Sequence, residues 1–144
     1  RMFDWGILAT DIASTVLEAA ERGVYRQDQI EPIPTRLRIK YLLKSRIAGS
    51  KSVRMTPEMR DRIDFRRLNL LTEVGRLSDR MDVILCRNVI IYFDVDTQER
   101  IVRSLYDRLV PGGYLFMGHS ESLMHIPLEM TYETASIYRK AGWE

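Results

Sequence analysis

The chain has 144 residues, 45% of them hydrophobic and 29% charged, with a formal net charge of +2. Those proportions exclude a disordered, fibrous or low-complexity segment and suit one folded domain of mixed class. No apolar run approaches the roughly 20 residues of a membrane span and no signal peptide is visible, so a soluble, cytoplasmic protein is expected.

Residues 7–11, Ile-Leu-Ala-Thr-Asp, read as a strand, and 13–22 as a helix N-capped by Asp11 and ended by Gly23. A complete doubly wound sheet places a partner strand before this one, so the chain is expected to be the carboxyl-terminal part of a longer protein. Pro32 and Pro34 break the next stretch. Leu37, Tyr41, Leu42 and Ile47 then form an apolar stripe at helical spacing, predicting a second helix stopped by Gly49. Across 49–55, Lys51, Val53 and Met55 alternate with Ser52 and Arg54 as in a short strand, and Thr56-Pro57-Glu58 signals a helix start. Residues 63–70 return to extended character. A strand over 83–87, a helix over 96–109 capped by Pro111-Gly112-Gly113 and a strand over 114–117 make a crossover unit, right-handed by rule. Residues 131–139, with Tyr132, Thr134, Ile137 and Tyr138, supply antiparallel hairpin arms. The single cysteine, Cys86, has no partner for an intramolecular disulfide and reads as a buried thiol.

The most informative stretch is 82–94. Its apolar run Val83-Ile-Leu-Cys86 is followed at once by Arg87, Asn88 and Tyr92, which reads as a central parallel strand emptying into a ligand crevice. A guanidinium there suits a carboxylate, because its fork donates two parallel hydrogen bonds. Tyr92 and Phe93 read equally as an aromatic pair packed beneath the crevice. Asp11, an acid at a strand end, is placed either to accept hydrogen bonds from ribose hydroxyls or simply to cap the following helix. Asn69 reads as a turn asparagine. His119, Ser120 and Glu121 close the next strand on the same sheet edge without forming a nucleophilic triad, and His125 is lone.

Charge is unevenly spread. Residues 35–67 carry eleven Lys or Arg against three Asp or Glu, a local +8 that leaves −6 for the remainder. Such a field draws nucleic acid, anionic lipid or an acidic protein surface alike. Without interleaved exposed aromatics or a nucleic-acid motif, an acidic protein partner ranks above nucleic acid, and a solvated basic segment without a partner is the plain alternative.

Three runs, Cys86-Arg-Asn-Val-Ile-Ile-Tyr-Phe-Asp94, Thr97-Gln98-Glu99-Arg100 and Leu109-Val-Pro-Gly-Gly-Tyr-Leu-Phe-Met-Gly-His-Ser-Glu-Ser122, resemble the CheR-type chemotaxis receptor methyltransferases. Upstream, Ala9-Thr10-Asp11-Ile12, Gly23-Val24-Tyr25, Asp64-Phe65 and Asn69-Leu70-Leu71 follow in that family's order. The resemblance implies a Rossmann-like α/β sheet with a small inserted β-subdomain over residues 49–69. It implies S-adenosyl-L-methionine as cofactor, S-adenosyl-L-homocysteine as product, and methyl transfer to glutamate side chains in the cytoplasmic domain of membrane chemoreceptors, forming γ-glutamyl methyl esters. By the same resemblance Asp11 meets the ribose, Asn69 and the Leu70 backbone meet adenine, Arg87 and Asn88 meet the methionyl end, and Tyr92 lies near the transferring methyl. Tyr92 and Arg87 are the catalytic candidates. A glutamate with a reference pKa near 4.3 is already ionised at neutral pH, so the implied transfer needs alignment rather than a general base, and no metal.

Two departures from the family pattern stand out. Its Gly-Glu-Glu-Pro-type cofactor loop and its helical amino-terminal domain have no counterpart in these residues, so the isolated chain is expected to bind cofactor weakly and to turn over poorly. An unpaired strand edge invites domain exchange between copies. The rivals are a non-catalytic nucleoside-sensing or receptor-docking module, and a nicotinamide oxidoreductase, which needs a glycine fingerprint about 20 residues before Asp11.

Overall fold

The computed structural model describes residues 4–119, 121–123 and 126–142; Ser120 and His125 lie outside them. The chain divides into two units, residues 1–68 and 69–144.

In the first unit, β1 (Ile7–Asp11) pairs in parallel with β5 (Ile63–Arg67), with Asp11 opposite Arg67 at their carboxyl ends. Between them run α1 (Ser14–Arg22), β2 (Val24–Arg26), α2 (Thr35–Tyr41), β3 (Leu42–Lys44), β4 (Ser52–Met55) and α3 (Pro57–Arg60). Gly23 ends α1 in the left-handed region at φ 59°, its N–H donating to the Ala20 carbonyl, as its lack of a Cβ permits. The capping expectation for Asp11 is corrected. The N-cap of α1 is Ala13, and Asp11 Oδ1 instead accepts the Ala13 N–H at 2.8 Å, a turn two residues wide.

The helix expected to reach Gly49 stops at Tyr41. Leu42–Lys44 pairs antiparallel with β4, which also pairs with β2, making a three-stranded sheet ordered β2-β4-β3. Ladder hydrogen bonds to β4 outweigh the helical stripe, of which Leu37, Tyr41 and Leu42 are only partly buried and Ile47 remains 76% exposed. This small sheet draws its strands from residues 24–55. Of the segment 49–69, β4 lies in it, whereas β5 belongs to the parallel pair.

In the second unit, β6 (Met81–Cys86), α4 (Val95–Arg108) and β7 (Leu109–Met117) form the expected strand, helix, strand unit with parallel pairing. The hairpin β8 (Met130–Thr134) and β9 (Ile137–Lys140) completes a sheet ordered β6-β7-β9-β8. Asp94 N-caps α4, accepting the Thr97 N–H at 2.9 Å and the Thr97 hydroxyl at 3.0 Å. Ile101, Val102 and Leu105 of α4 are buried, as are Leu109, Leu115 and Met117 of β7, which is the core that anchors β6.

Two expectations change here. Pro111-Gly112-Gly113 does not cap the helix. It forms an irregularity inside β7, where the register shifts between Met81 opposite Leu109 and Val83 opposite Tyr114; Gly113 has backbone oxygens 2.9 and 3.0 Å from where a Cβ would stand, so a side chain has no room there. And β6 is an edge strand among the described residues rather than a central one, with Val83 half exposed and Leu85 71% exposed.

Candidate functional site

Parallel strands align their chain direction, so the residues that leave their carboxyl ends gather on one edge of a sheet. In the second unit that edge carries the residues following β6. Arg87 and Asn88 come directly after the strand and are exposed. Residues 90–92 make a single 3-10 turn whose buried Ile90 side chain plugs into the core while Tyr92 stands 80% exposed. Tyr92 is therefore not packed beneath the loop. Arg87 makes no ion pair among the described residues, which leaves its fork available.

What holds this loop is a residue that sequence reasoning left without a role. Glu121, 5% exposed, turns its carboxylate into the loop. Its Oε1 accepts the N–H groups of Val89 and Ile90, both at 3.0 Å, and its Oε2 accepts those of Asn88 at 3.0 Å and Gly118 at 2.6 Å. Burying an anion is costly unless it is hydrogen-bonded, and four N–H donors supply that. The signal lay in the sequence as a carboxylate just past an apolar strand, but three of its four partners, the N–H groups of Asn88, Val89 and Ile90, sit 31 to 33 residues away. Gly118 is required to be small: a Cβ there would stand 2.6 Å from Glu121 Oε2 and 3.0 Å from the Asn88 nitrogen.

Cys86, the last residue of β6, is buried as expected. Burial first, and the charge of Glu121 second, push its thiol up to about 11. His119 is exposed.

Asn69 and Leu70 open the second unit. The Asn69 side-chain oxygen accepts the Leu71 N–H at 2.9 Å, and Glu73 accepts the Asn69 backbone N–H at 2.6 Å. That is a turn asparagine, and its side-chain amide donors stay unspent among the described residues. Asp11 belongs to the first unit. Its carbonyl accepts the Leu68 N–H at 3.0 Å, and its Oδ2 has no donor among the described residues.

The residues 1–138 match the family described as "CheR methyltransferase, SAM binding domain". The chain belongs to the CheR methyltransferase family. Among its relatives, a chemotaxis protein methyltransferase of Escherichia coli is 35% identical over 93% of this chain and 47% of its own length. One of Klebsiella aerogenes is 39% identical over 92% and 46%, and chemotaxis protein methyltransferase 2 of Pseudomonas aeruginosa is 37% identical over 83% and 42%. The chain thus spans less than half the length of these curated relatives. An O-methyltransferase family structure from Burkholderia thailandensis aligns over 42% of this chain and 18% of its own at 23% identity, with a TM-score of 0.38.

The CheR family implies S-adenosylmethionine as cofactor. Each unit carries groups of a kind that suits it: in the first, Asp11 Oδ2 is a carboxylate oxygen with no donor among the described residues, and in the second, the Asn69 amide donors and the Arg87 guanidinium are unspent among the described residues. Among the described residues no group of three or more His, Cys, Asp or Glu side chains could hold a metal ion, and no helix is long and apolar enough to cross a membrane.

Proposed function

We propose that this chain forms the carboxyl-terminal part of a methyltransferase catalytic domain that uses S-adenosylmethionine to esterify glutamate side chains on the cytoplasmic domain of membrane chemoreceptors, acting in the cytoplasm. The observation that carries the reading is the exposed Arg87, Asn88 and Tyr92 on one loop at the carboxyl end of a parallel strand, in a chain whose family is CheR. When bound, S-adenosylmethionine supplies a methyl group activated on a sulfonium.

The side chains then have positional work. Asp11 and Asn69 hold the ribose and adenine, with the Leu70 backbone beside the base. Arg87 and Asn88 orient the methionyl end, and Arg87 can also align an incoming carboxylate. Tyr92, exposed on its 3-10 turn, lines the place of transfer. Such alignment converts a bimolecular encounter into a positioned one, an effect that can reach about 7–11 kcal/mol.

The basic residues of 35–67 favour an acidic protein face as the docking partner. Because the chain spans less than half the length of its curated relatives, the chain alone is proposed to bind cofactor weakly, with domain exchange between copies as a route to covering its open strand edges.

The test is calorimetry of S-adenosylhomocysteine with this chain and with the full-length gene product, alongside transfer of labelled methyl groups to receptor cytoplasmic domains. Binding and alkali-labile labelling by the full-length protein, with weak binding by the chain, supports the reading. A folded full-length protein that binds but never transfers is a sensing or docking module, and one that ignores the ligand is not a methyltransferase. NADH binding in its place would mark an oxidoreductase.

A further inference from the structure

Asn88 stands in the left-handed region at φ 59°, followed by Val89 in the right-handed region at φ −113° and ψ −49°. A left-handed residue beside a right-handed one turns successive backbone N–H groups toward a common point, making a concavity that binds anions. The N–H groups of Asn88, Val89 and Ile90 do converge, and the anion they meet is the chain's own Glu121, which also takes the Gly118 N–H. We propose that Glu121 is a positioning residue: by filling this nest its carboxylate sets the conformation of the 87–92 loop, which presents Arg87, Asn88 and Tyr92, and keeps the nest from any carboxylate of substrate or cofactor.

This inference rests on the methyltransferase reading of that loop and adds two things to it. First, the non-glycine φ at Asn88 is stabilised from outside the loop, by one side chain that reaches all three N–H groups. Second, recognition of an incoming carboxylate falls to the Arg87 guanidinium and not to backbone N–H groups, because those groups are already occupied. Both carboxylate oxygens of Glu121 are used, each by two donors. A glutamine in its place sets an NH2 group against one donor pair whichever way its amide turns.

The test compares Glu121→Gln, Glu121→Asp and the core variant Leu105→Ala in the full-length gene product. Turnover and S-adenosylhomocysteine affinity are read at a temperature where circular dichroism shows each folded. Leu105 is buried in α4 and touches no proposed site residue's role, so it reports stability loss alone. Glu121→Gln is expected to lower kcat at least tenfold and weaken affinity at least fivefold. Glu121→Asp, which keeps the charge on a shorter stem, should recover part of both, and Leu105→Ala should stay within twofold on both. If Glu121→Gln does not fold, Glu121→Asp decides by the same comparison with Leu105→Ala. A folded Glu121→Gln within twofold of wild type, or losing no more than Leu105→Ala at equal thermal destabilisation, overturns the proposal. A folded wild type that transfers no methyl group overturns the underlying reading, and this proposal with it; activity in the wild type that survives in Glu121→Gln overturns this proposal alone.

Discussion

The Gly118 N–H donates to Glu121 Oε2 at 2.6 Å, and a Cβ on Gly118 would stand 2.6 Å from that same oxygen. The close approach of backbone to carboxylate therefore depends on the missing side chain. Gly118→Ala is expected to destabilise the protein by about 1–3 kcal/mol, the usual range for overpacking a buried site. Thermal unfolding measures it. An unchanged midpoint would mean that the carboxylate is free to back away.

Asp11 Oδ1 accepts the Ala13 N–H, and Oδ2 has no donor among the described residues. Asp11→Asn keeps an oxygen for the turn and loses the charged acceptor proposed for the ribose. The full-length protein carrying it should unfold within a degree or two of wild type while its S-adenosylhomocysteine affinity drops roughly tenfold, the loss of one charge-assisted hydrogen bond of about 1.5 kcal/mol. Equal affinity by calorimetry would remove Asp11 from the site.

Arg87 is exposed and leaves its fork open. Lysine cannot reproduce a bidentate contact. Arg87→Lys should therefore lower kcat/KM by roughly 10- to 100-fold, the equivalent of about 1.5–3 kcal/mol, with no change in thermal midpoint because among the described residues nothing pairs with the guanidinium. Retained kcat/KM in a steady-state assay would show that a point charge suffices.

Burial and the nearby Glu121 charge raise the Cys86 thiol from 9.0 to about 11. Between those values the folded protein holds a proton that the unfolded chain has released, so the neutral thiol's contribution is fully present below pH 9 and lost as pH rises through 11, roughly 3 kcal/mol in all. The stability gap between wild type and Cys86→Ala in denaturant should narrow over that window. Reaction of the native thiol with a disulfide reagent should be slow at pH 8, where little thiolate exists. A gap that stays flat from pH 9 to 11 would contradict the raised value.

Local signals placed most elements. The apolar run before Arg87 identified β6 and Gly23 marked the end of α1, since each depends on neighbours within a few residues. The loop carrying Arg87, Asn88 and Tyr92 was legible for the same reason. Local reading failed where distant partners decide. Leu42–Lys44 became a strand because β4 offered it a ladder. Pro111-Gly112-Gly113 became an irregularity in β7 because the strand began at Leu109, before those residues, against Met81. The role of Glu121 was invisible because the loop donors it holds, the N–H groups of Asn88, Val89 and Ile90, lie 31 to 33 residues away along the chain. Sequence by itself determined most element types, the family and the loop that carries Arg87, Asn88 and Tyr92, through local periodicity and a dense run of matching residues. Tertiary structure alone decided which strand pairs with which and what holds the site loop, since a backbone hydrogen bond or a buried carboxylate finds its partner in space and not along the chain.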